Sequence, residues 1–206
     1  MLGQTGAAAR MRAMEPNPHF RPVALAHASR LINHGPTALV TSAAAGRRNV
    51  MAAAWSMPVE FEPPRIAVVI DKRTWTHELV QAGGGFALCL PGTALVDLCF
   101  AVGQVSGRDV DKFARHGLQA RPGPVLGMPL IEAGCAAWLE CRRIAEPHTE
   151  QAYDTCFAEV VAAAADERIF RDGRWHFNDA NTALQTIHHL GGGRFVRPGG
   201  TLRAGG

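Results

Sequence analysis

The stretch from Ala38 to Thr76, reading ALVTSAAAGRRNVMAAAWSMPVEFEPPRIAVVIDKRTWT, constrains the fold of this chain more than any other. Extended runs alternate in it with strong chain-turners. Thr37 to Ser42 is strand-like, and the small and polar run AAAGRRN turns the chain as a longer hairpin loop containing glycine would. Val50 to Phe61 stays extended as far as Pro63-Pro64, a pair that cannot sit in a central strand, and Pro58 bends it on the way. Arg65 to Asp71 is a continuous apolar run rich in β-branched residues, the usual sign of a strand buried on both faces.

Around this stretch lie further strands and a few short helices. Val23 to Asn33 carries Leu25, Ala28, Leu31 and Ile32 near helical spacing and predicts a short amphipathic helix, ended by His34-Gly35-Pro36. KRTWTHELVQAGGG predicts a capped helix with Thr76 as N-cap, Glu78 in the first turn, Trp75 and Val80 as a hydrophobic staple and Gly83 to Gly85 as the stop. Phe86 to Leu90 is a strand, after which Leu95, Leu98, Cys99 and Val102 mark a helix ended by Gly103. Ser106 to Gly117 reads as a short helix with Ser106 and Asp109 spaced as a capping box. RPGPVLGMP reads as loop, Cys135 to Ile144 and Asp154 to Val161 as two long strands, Asp172-Gly173 as a turn and IHHLGGGRFVRPGG as a glycine-rich tail. About six strands without strict β-α alternation argue against a parallel doubly wound sheet and point to a small antiparallel barrel, mainly β with short helices.

Composition narrows the functional classes. At 206 residues the chain reads as one domain with loose ends: a flexible tail over 1–19, a domain over 20–196 and a second tail over 197–206. The most apolar helical candidate, ALVDLCFAVG, is short and holds Asp97, so no membrane association is expected. The amino terminus lacks the apolar core of a secretory signal, which points to the cytoplasm. Five cysteines, odd in number and without a C-x-x-C pair, argue against both a disulfide framework and a zinc site and read as buried thiols. A net charge of +3 with scattered positive residues gives no reason to expect a nucleic-acid partner. Of 21 basic residues only Lys72 and Lys112 are lysines, and both fall in turns.

Three segments could carry chemistry, and each has a plainer reading. Lys72 and Arg73 precede a helix start, which offers unpaired N–H groups and a positive dipole end to an anion; an ordinary capped surface helix would look the same. SGRDVDKF could add Ser106, Arg108 and Lys112 as donors to that anion, or form exposed ion pairs of little consequence. The alanines of NVMAAAW could bring backbone close to a flat ligand, or let two strands cross tightly. GGGRF neither follows a clear strand nor opens a helix, and no P-loop, G-x-S-x-G elbow or H-E-x-x-H helix is present. Adjacent His188 and His189 point differently and do not pair on a metal, while Cys135 and Cys141 share one strand face by parity, as buried thiols would.

Taken together, TALVTS, NVMAAAWSMPVEFEPP, RTWTHEL, SGRDVDKF, LECRRI, AEVV and HHLGGGRF resemble, in order and spacing, the flavin reductase-like family of FMN-binding split barrels that includes flavoredoxins. The resemblance implies a six-stranded antiparallel Greek-key split barrel that forms a homodimer, with FMN rather than FAD as cofactor. It further implies that backbone around Asn49, Val50, Met51, Ala52 and Ala53 meets the isoalloxazine, while Arg73, Thr74, Thr76, Ser106 and Lys112 hold the phosphate and ribityl chain. Hydride from NAD(P)H would pass to the flavin, with no catalytic side chain required. A monooxygenase or redox protein would then receive the electrons.

Two departures from the family pattern bear on activity. Ala52 and Ala54 stand where relatives often carry hydroxyl residues. Gln151-Ala152-Tyr153 stands where many have Gly-Asp-His, a histidine associated with nicotinamide or flavin. The second departure implies an alternative, a flavoredoxin-like electron carrier without its own nicotinamide site.

Overall fold

The computed structural model describes residues 15–205 and opens with a short strand, β1 (Phe20–Pro22). The N-terminal tail expected over 1–19 lies for the most part outside the described residues. A 3-10 helix, Leu25–Leu31, stands where an α-helix is predicted; Ala24 brings no capping side chain, and Ala28, Leu31 and Ile32 are nonetheless buried.

The run AAAGRRN turns far more tightly than its length suggests. Ala44 pairs with Arg47, so β2 (Ala38–Ala44) and β3 (Arg47–Ala53) are joined by Ala45 and Gly46 alone. Both have positive φ, 48° and 75°, as in the type I′ turn whose twist matches the flanking strands. The extended run that follows also divides: β3 ends at Ala53, and β4 (Ser56–Phe61) pairs instead with β5 (Pro64–Val69). A register shift between Pro58 and Glu60 marks the bend at Pro58.

Helix α1 (Trp75–Gly83) is capped by Thr74, not Thr76. Asp71 O accepts both the N–H and the hydroxyl of Thr74, which frees the Thr74 Oγ1 lone pairs for the N–H of His77 at 3.2 Å. Trp75 therefore becomes the first helical residue, and the Trp75–Val80 staple does not form. Gly84, with φ of 70°, stops the helix before β6 (Gly85–Pro91). Next come α2 (Val96–Val102) and α3 (Lys112–Arg115), whose cap is Asp111. The Ser106–Asp109 capping box is absent because Ser106 Oγ accepts the N–H of Arg108, a local turn that competes with helix.

RPGPVLGMP carries the paired strands β7 (Arg121–Pro122) and β8 (Pro129–Leu130). They lead to β9 (Cys135–Ile144), an unanticipated helix α4 (Pro147–Tyr153) opened by proline, and β10 (Thr155–Asp166). Asp172-Gly173 turns β11 (Phe170–Arg171) into β12 (Arg174–Trp175). The supposed glycine-rich tail is a hairpin, β13 (His188–Gly191) with β14 (Arg194–Val196), because Gly191 to Gly193 take the positive φ that the turn requires.

Eight antiparallel strands, rather than six, form the main sheet in the order β3-β2-β6-β9-β10-β5-β4, with β1 also on β10. Val40, Leu88, Leu139, Val160 and Ile66, drawn from strands along that path, meet in one buried cluster. The sheet is thus curled into a mainly β, antiparallel Greek-key split barrel whose open side lies between β3 and β4. A second cluster, with Leu39, Cys89 and Trp138, packs on the outside beneath α2, α3 and the loop near Met128. Cys135 belongs to this outer layer and Cys141 to the interior. Pro91 pairs with Cys135 and Leu90 with Ala137, so Ala136 is an extra bulge residue that breaks the parity argument.

Near the C-terminal hairpin, the rings of Trp175, Phe177 and His188 surround His34, whose Nε2 lies 3.0 Å from Thr186 Oγ1. Burial, and secondarily His188, lowers the His34 pKa from 6.5 to about 4. Between those values the unfolded chain takes up a proton that the folded chain refuses. Stability is therefore full above pH 6.5 and falls as pH is lowered toward 4. Urea denaturation should show that decline, and His34→Gln should make its slope shallower over the same window.

Candidate functional site

Strand β3 ends the sheet, so one of its edges has no strand partner. Along an antiparallel strand, alternate residues direct both main-chain groups to the same side. Lys112 Nζ donates to Val50 O at 3.0 Å, which assigns Val50, and with it Arg48 and Ala52, to the free edge. The ammonium's second acceptor is Val102 O at 2.6 Å, where α2 ends. Lys112 is 4 % exposed, and burial lowers its pKa below the ordinary lysine value. The segment 106–112 therefore folds back onto β3, and the Lys112 head, expected as a donor to an anion at the helix start, is turned to two carbonyls.

Asn49 lies on the opposite side of β3 and donates to Thr76 Oγ1 at 2.9 Å, joining the strand to the first turn of α1. Both side chains are buried, and Asn49 Oδ1 has no donor among the described residues. Gly107 packs directly on Asn49 and the Trp75 ring, where a Cβ would collide with both. No acceptor among the described residues takes the N–H groups of Trp75 and Thr76. Arg73 reaches outward, its side chain 86 % exposed and held by Asp71 at 2.8 Å, and its carbonyl accepts from Arg108. Bonding to Arg73 lowers the Asp71 carboxyl to about 2. Met51 and Ala53 face the barrel interior, and Ala52 faces the outer layer.

Asn49, Val50, Thr74, Thr76, Ser106 and Lys112 are thus drawn into one region by α1, β3 and the 106–112 segment. Arg73 joins it through its carbonyl, while its guanidinium is committed to Asp71. The stretch Gln151-Ala152-Tyr153 adjoins the same turn: Lys72 Nζ donates to Gln151 O at 2.7 Å, and Lys72 N to Asp154 Oδ1 at 3.1 Å.

An open cleft of about 1070 Å³ runs from the tip of the β2–β3 hairpin past Trp75 and Gly107 to the loop near Met128. Sequence reasoning missed the residue that shapes its far wall. Glu140, fully buried on β9, accepts the N–H groups of Val125, Leu126 and Met128 at 2.9 to 3.1 Å, with Gly123 against its carboxylate. The lone glutamate in an apolar strand, LECRRI, was the available signal. Glu140→Gln replaces one acceptor oxygen by a donor and should lower unfolding free energy by about 2–4 kcal/mol, measured in denaturant. Limited proteolysis should then cut within 123–128.

The described residues fit a ligand that joins a flat ring to a phosphate. They offer free-edge main chain at Ala52, a buried acceptor without a donor at Asn49, two unengaged N–H groups at a helix start, and a close approach at Gly107. They form no cluster of His, Cys, Asp and Glu that could hold a metal, and no helix among them is long and apolar enough to cross a membrane.

Known proteins share this fold. The Escherichia coli K12 protein YddH is 55 % identical over 188 residues, covering 90 % of this chain and 98 % of its own. The FMN-binding domain of a flavin reductases-like enzyme from Shewanella baltica OS155 superposes with a TM-score of 0.87 at 39 % identity, over 90 % of this chain and 97 % of that one. Flavoredoxin of Desulfovibrio vulgaris (Miyazaki F) does so at 0.69 and 28 % identity, over 82 % and 90 %. Residues 30–184 match the flavin reductase like domain, and the chain belongs to that FMN-binding family.

Proposed function

We propose that this chain binds FMN along the free edge of β3 and is an oxidoreductase of the flavin reductase type, using NAD(P)H as donor and passing reduced flavin to a monooxygenase. The observation that carries this reading is the buried contact of Asn49 with Thr76 and Gly107 at the start of α1, on a strand whose other side is unpaired. Bound there, FMN would supply the redox chemistry, its ring accepting a hydride from reduced nicotinamide.

The chain's own residues bind and orient. Main-chain groups of Ala52 offer a donor and an acceptor to the ring's polar edge, and Asn49 Oδ1 offers an acceptor to a ribityl hydroxyl. The N–H groups of Trp75 and Thr76, with Thr74, Arg73 and Ser106 nearby, receive the phosphate. Lys112 contributes positive potential from beneath while fixing β3 through Val50 O. No side chain is asked to move a proton. Positioning alone brings donor and ring together.

The second reading, a flavoredoxin-like carrier reduced by a protein partner, is favoured by Gln151-Ala152-Tyr153. Lys72 is engaged by Gln151 O and Asp154 at that place, and none of the three positions is a histidine; the histidine of α4, His148, packs its ring against that of Tyr153 at 5.8 Å.

Purified protein should quench the fluorescence of added FMN, and Thr76→Val with Asn49→Leu should weaken that binding about tenfold or more. NADH or NADPH consumption separates the two readings: turnover supports the reductase, whereas tight FMN binding with no turnover supports the carrier. Unquenched FMN would sink both.

A homodimer belongs to the same proposal. Trp55, Met57 and Phe61, exposed by 75, 58 and 73 %, line the terminal strand β4 and its approach, an apolar stripe of the kind that marks an interface. A second copy laid on this stripe would cover it. Trp55→Glu with Met57→Glu should halve the mass measured by light scattering, and an unchanged mass would exclude this face.

A further inference from the structure

The irregular segment between α2 and α3 is pinned at both ends and tied down at one residue between them. Its ends are joined by the hydrogen bond from Lys112 Nζ to Val102 O at 2.6 Å. Inside it Ser106 folds the chain on itself, the carbonyl accepting the N–H groups of Asp109 and Val110 and the hydroxyl accepting that of Arg108. Among the described residues, every hydrogen bond from residues 105–110 to the rest of the chain is made by the Arg108 side chain. Its Nη1 donates to Arg73 O at 3.0 Å, and its Nη2 donates to Glu78 in the first turn of α1. The two side chains of the ion pair are 41 and 57 % exposed, and a pair so open to water holds only weakly.

Beneath this segment lies the acceptor that has no donor. Gly107 rests directly on Asn49 Oδ1 and on the Trp75 ring, leaving no space even for a Cβ. A ligand hydroxyl can reach that oxygen only if Gly107 moves away. Keeping a buried acceptor unpaired is unfavourable, so a ligand that pairs with it offsets part of the cost of moving the segment. The cleft alongside gives an anion no strong pull of its own, because it carries both signs of charge. Arg47 and Arg48 lie over the rings of Trp75 and Phe113, and Asp109 and Asp111 line the same cleft. None of these four has an ion-pair partner among the described residues. Arg108 is different: its partner Glu78 is one that a phosphate, a better match to the guanidinium fork, can replace.

We propose that residues 105–110 form a strap over the flavin site, latched by Arg108 on Glu78, and that ligand enters by lifting Gly107 from Asn49 while its phosphate competes with Glu78 for the guanidinium. The proposal rests on the flavin reading and adds to it an order of events. The strap opens first, and the phosphate then seats at the start of α1.

Stopped-flow quenching of FMN fluorescence measures entry, and tryptic cleavage after Arg108, followed by mass spectrometry with no flavin present, measures opening. Glu78→Gln removes the latch and should speed both by about threefold. Gly107→Ala, whose Cβ cannot rest on Asn49, should also speed both, and it changes no charge. Circular dichroism melting of each variant separates an opened strap from a lost fold. Faster FMN entry in Glu78→Gln but not in Gly107→Ala would reduce the effect to electrostatic steering and overturn the strap. Unchanged cleavage in both variants, or faster cleavage with unchanged entry, overturns it as well. A wild-type chain that fails to quench FMN would refute the flavin reading, and faster cleavage in both variants would still support the latch.

Discussion

The Lys112 ammonium, set between the carbonyls of Val50 and Val102, is the contact on which the arrangement of the site depends. An end strand carries main-chain groups that must find partners or meet water. Lys112 satisfies one carbonyl of β3 and the last carbonyl of α2 together, so a helix end and a sheet edge are joined by one side chain. It also carries Gly107 and Arg108 to the start of α1, where Gly107 can rest on Asn49 and Trp75. Burying an ammonium is unfavourable unless its donors are used. Two carbonyls use two of its three hydrogens, and the lowered pKa reflects what burial still costs.

A second buried charge works in the same way on the other side of the cleft. Glu140 has no ion-pair partner among the described residues, yet its carboxylate is solvated by three main-chain N–H groups from the loop it holds. Lys112 takes carbonyls left open at a strand edge and a helix end, whereas Glu140 takes amides of a loop that lacks regular secondary structure of its own. Loops shaped in this manner can line a cavity without collapsing into it. Gly123 is required there because the carboxylate occupies the space its side chain would fill.

Much of the fold was legible because local chemistry and tertiary packing agreed. RIAVVID reads as a strand and is one, since Ile66 and Val68 enter the interior while Ala67 is covered on the other face. What stayed hidden was set by distant partners. Thr74 and Thr76 are equivalent as caps in sequence, and only the hydrogen bond that Thr76 accepts from Asn49 and the one that Thr74 donates to Asp71 O separate them. The break at Ala54-Trp55 interrupts no hydrophobic period, so two strands at opposite ends of a sheet read as one. Bulges at Ala136 and near Val161 shift side chains between faces without any mark in composition. Lys112 was visible as an unusual lysine, but its direction depends on carbonyls 10 and 62 residues away. Glu140 was passed over because a single charge carries no spacing pattern.

That break at Ala54-Trp55 has the widest consequence. The sheet path starts at β3 and ends at β4, and the chain crosses the split between them in two residues. The free edge of β3 and the exposed apolar stripe are therefore covalent neighbours. Ala52 and Trp55 stand only three positions apart, about 10 Å if the chain is extended. Any partner that covers Trp55 and Met57 must approach the open side of the barrel, where the ring of a bound flavin would lie. Docking on β4 would then exclude water from the β3 edge and strengthen the main-chain hydrogen bonds offered there. Cofactor affinity and assembly become linked quantities, because each would be measured through the same two-residue crossing.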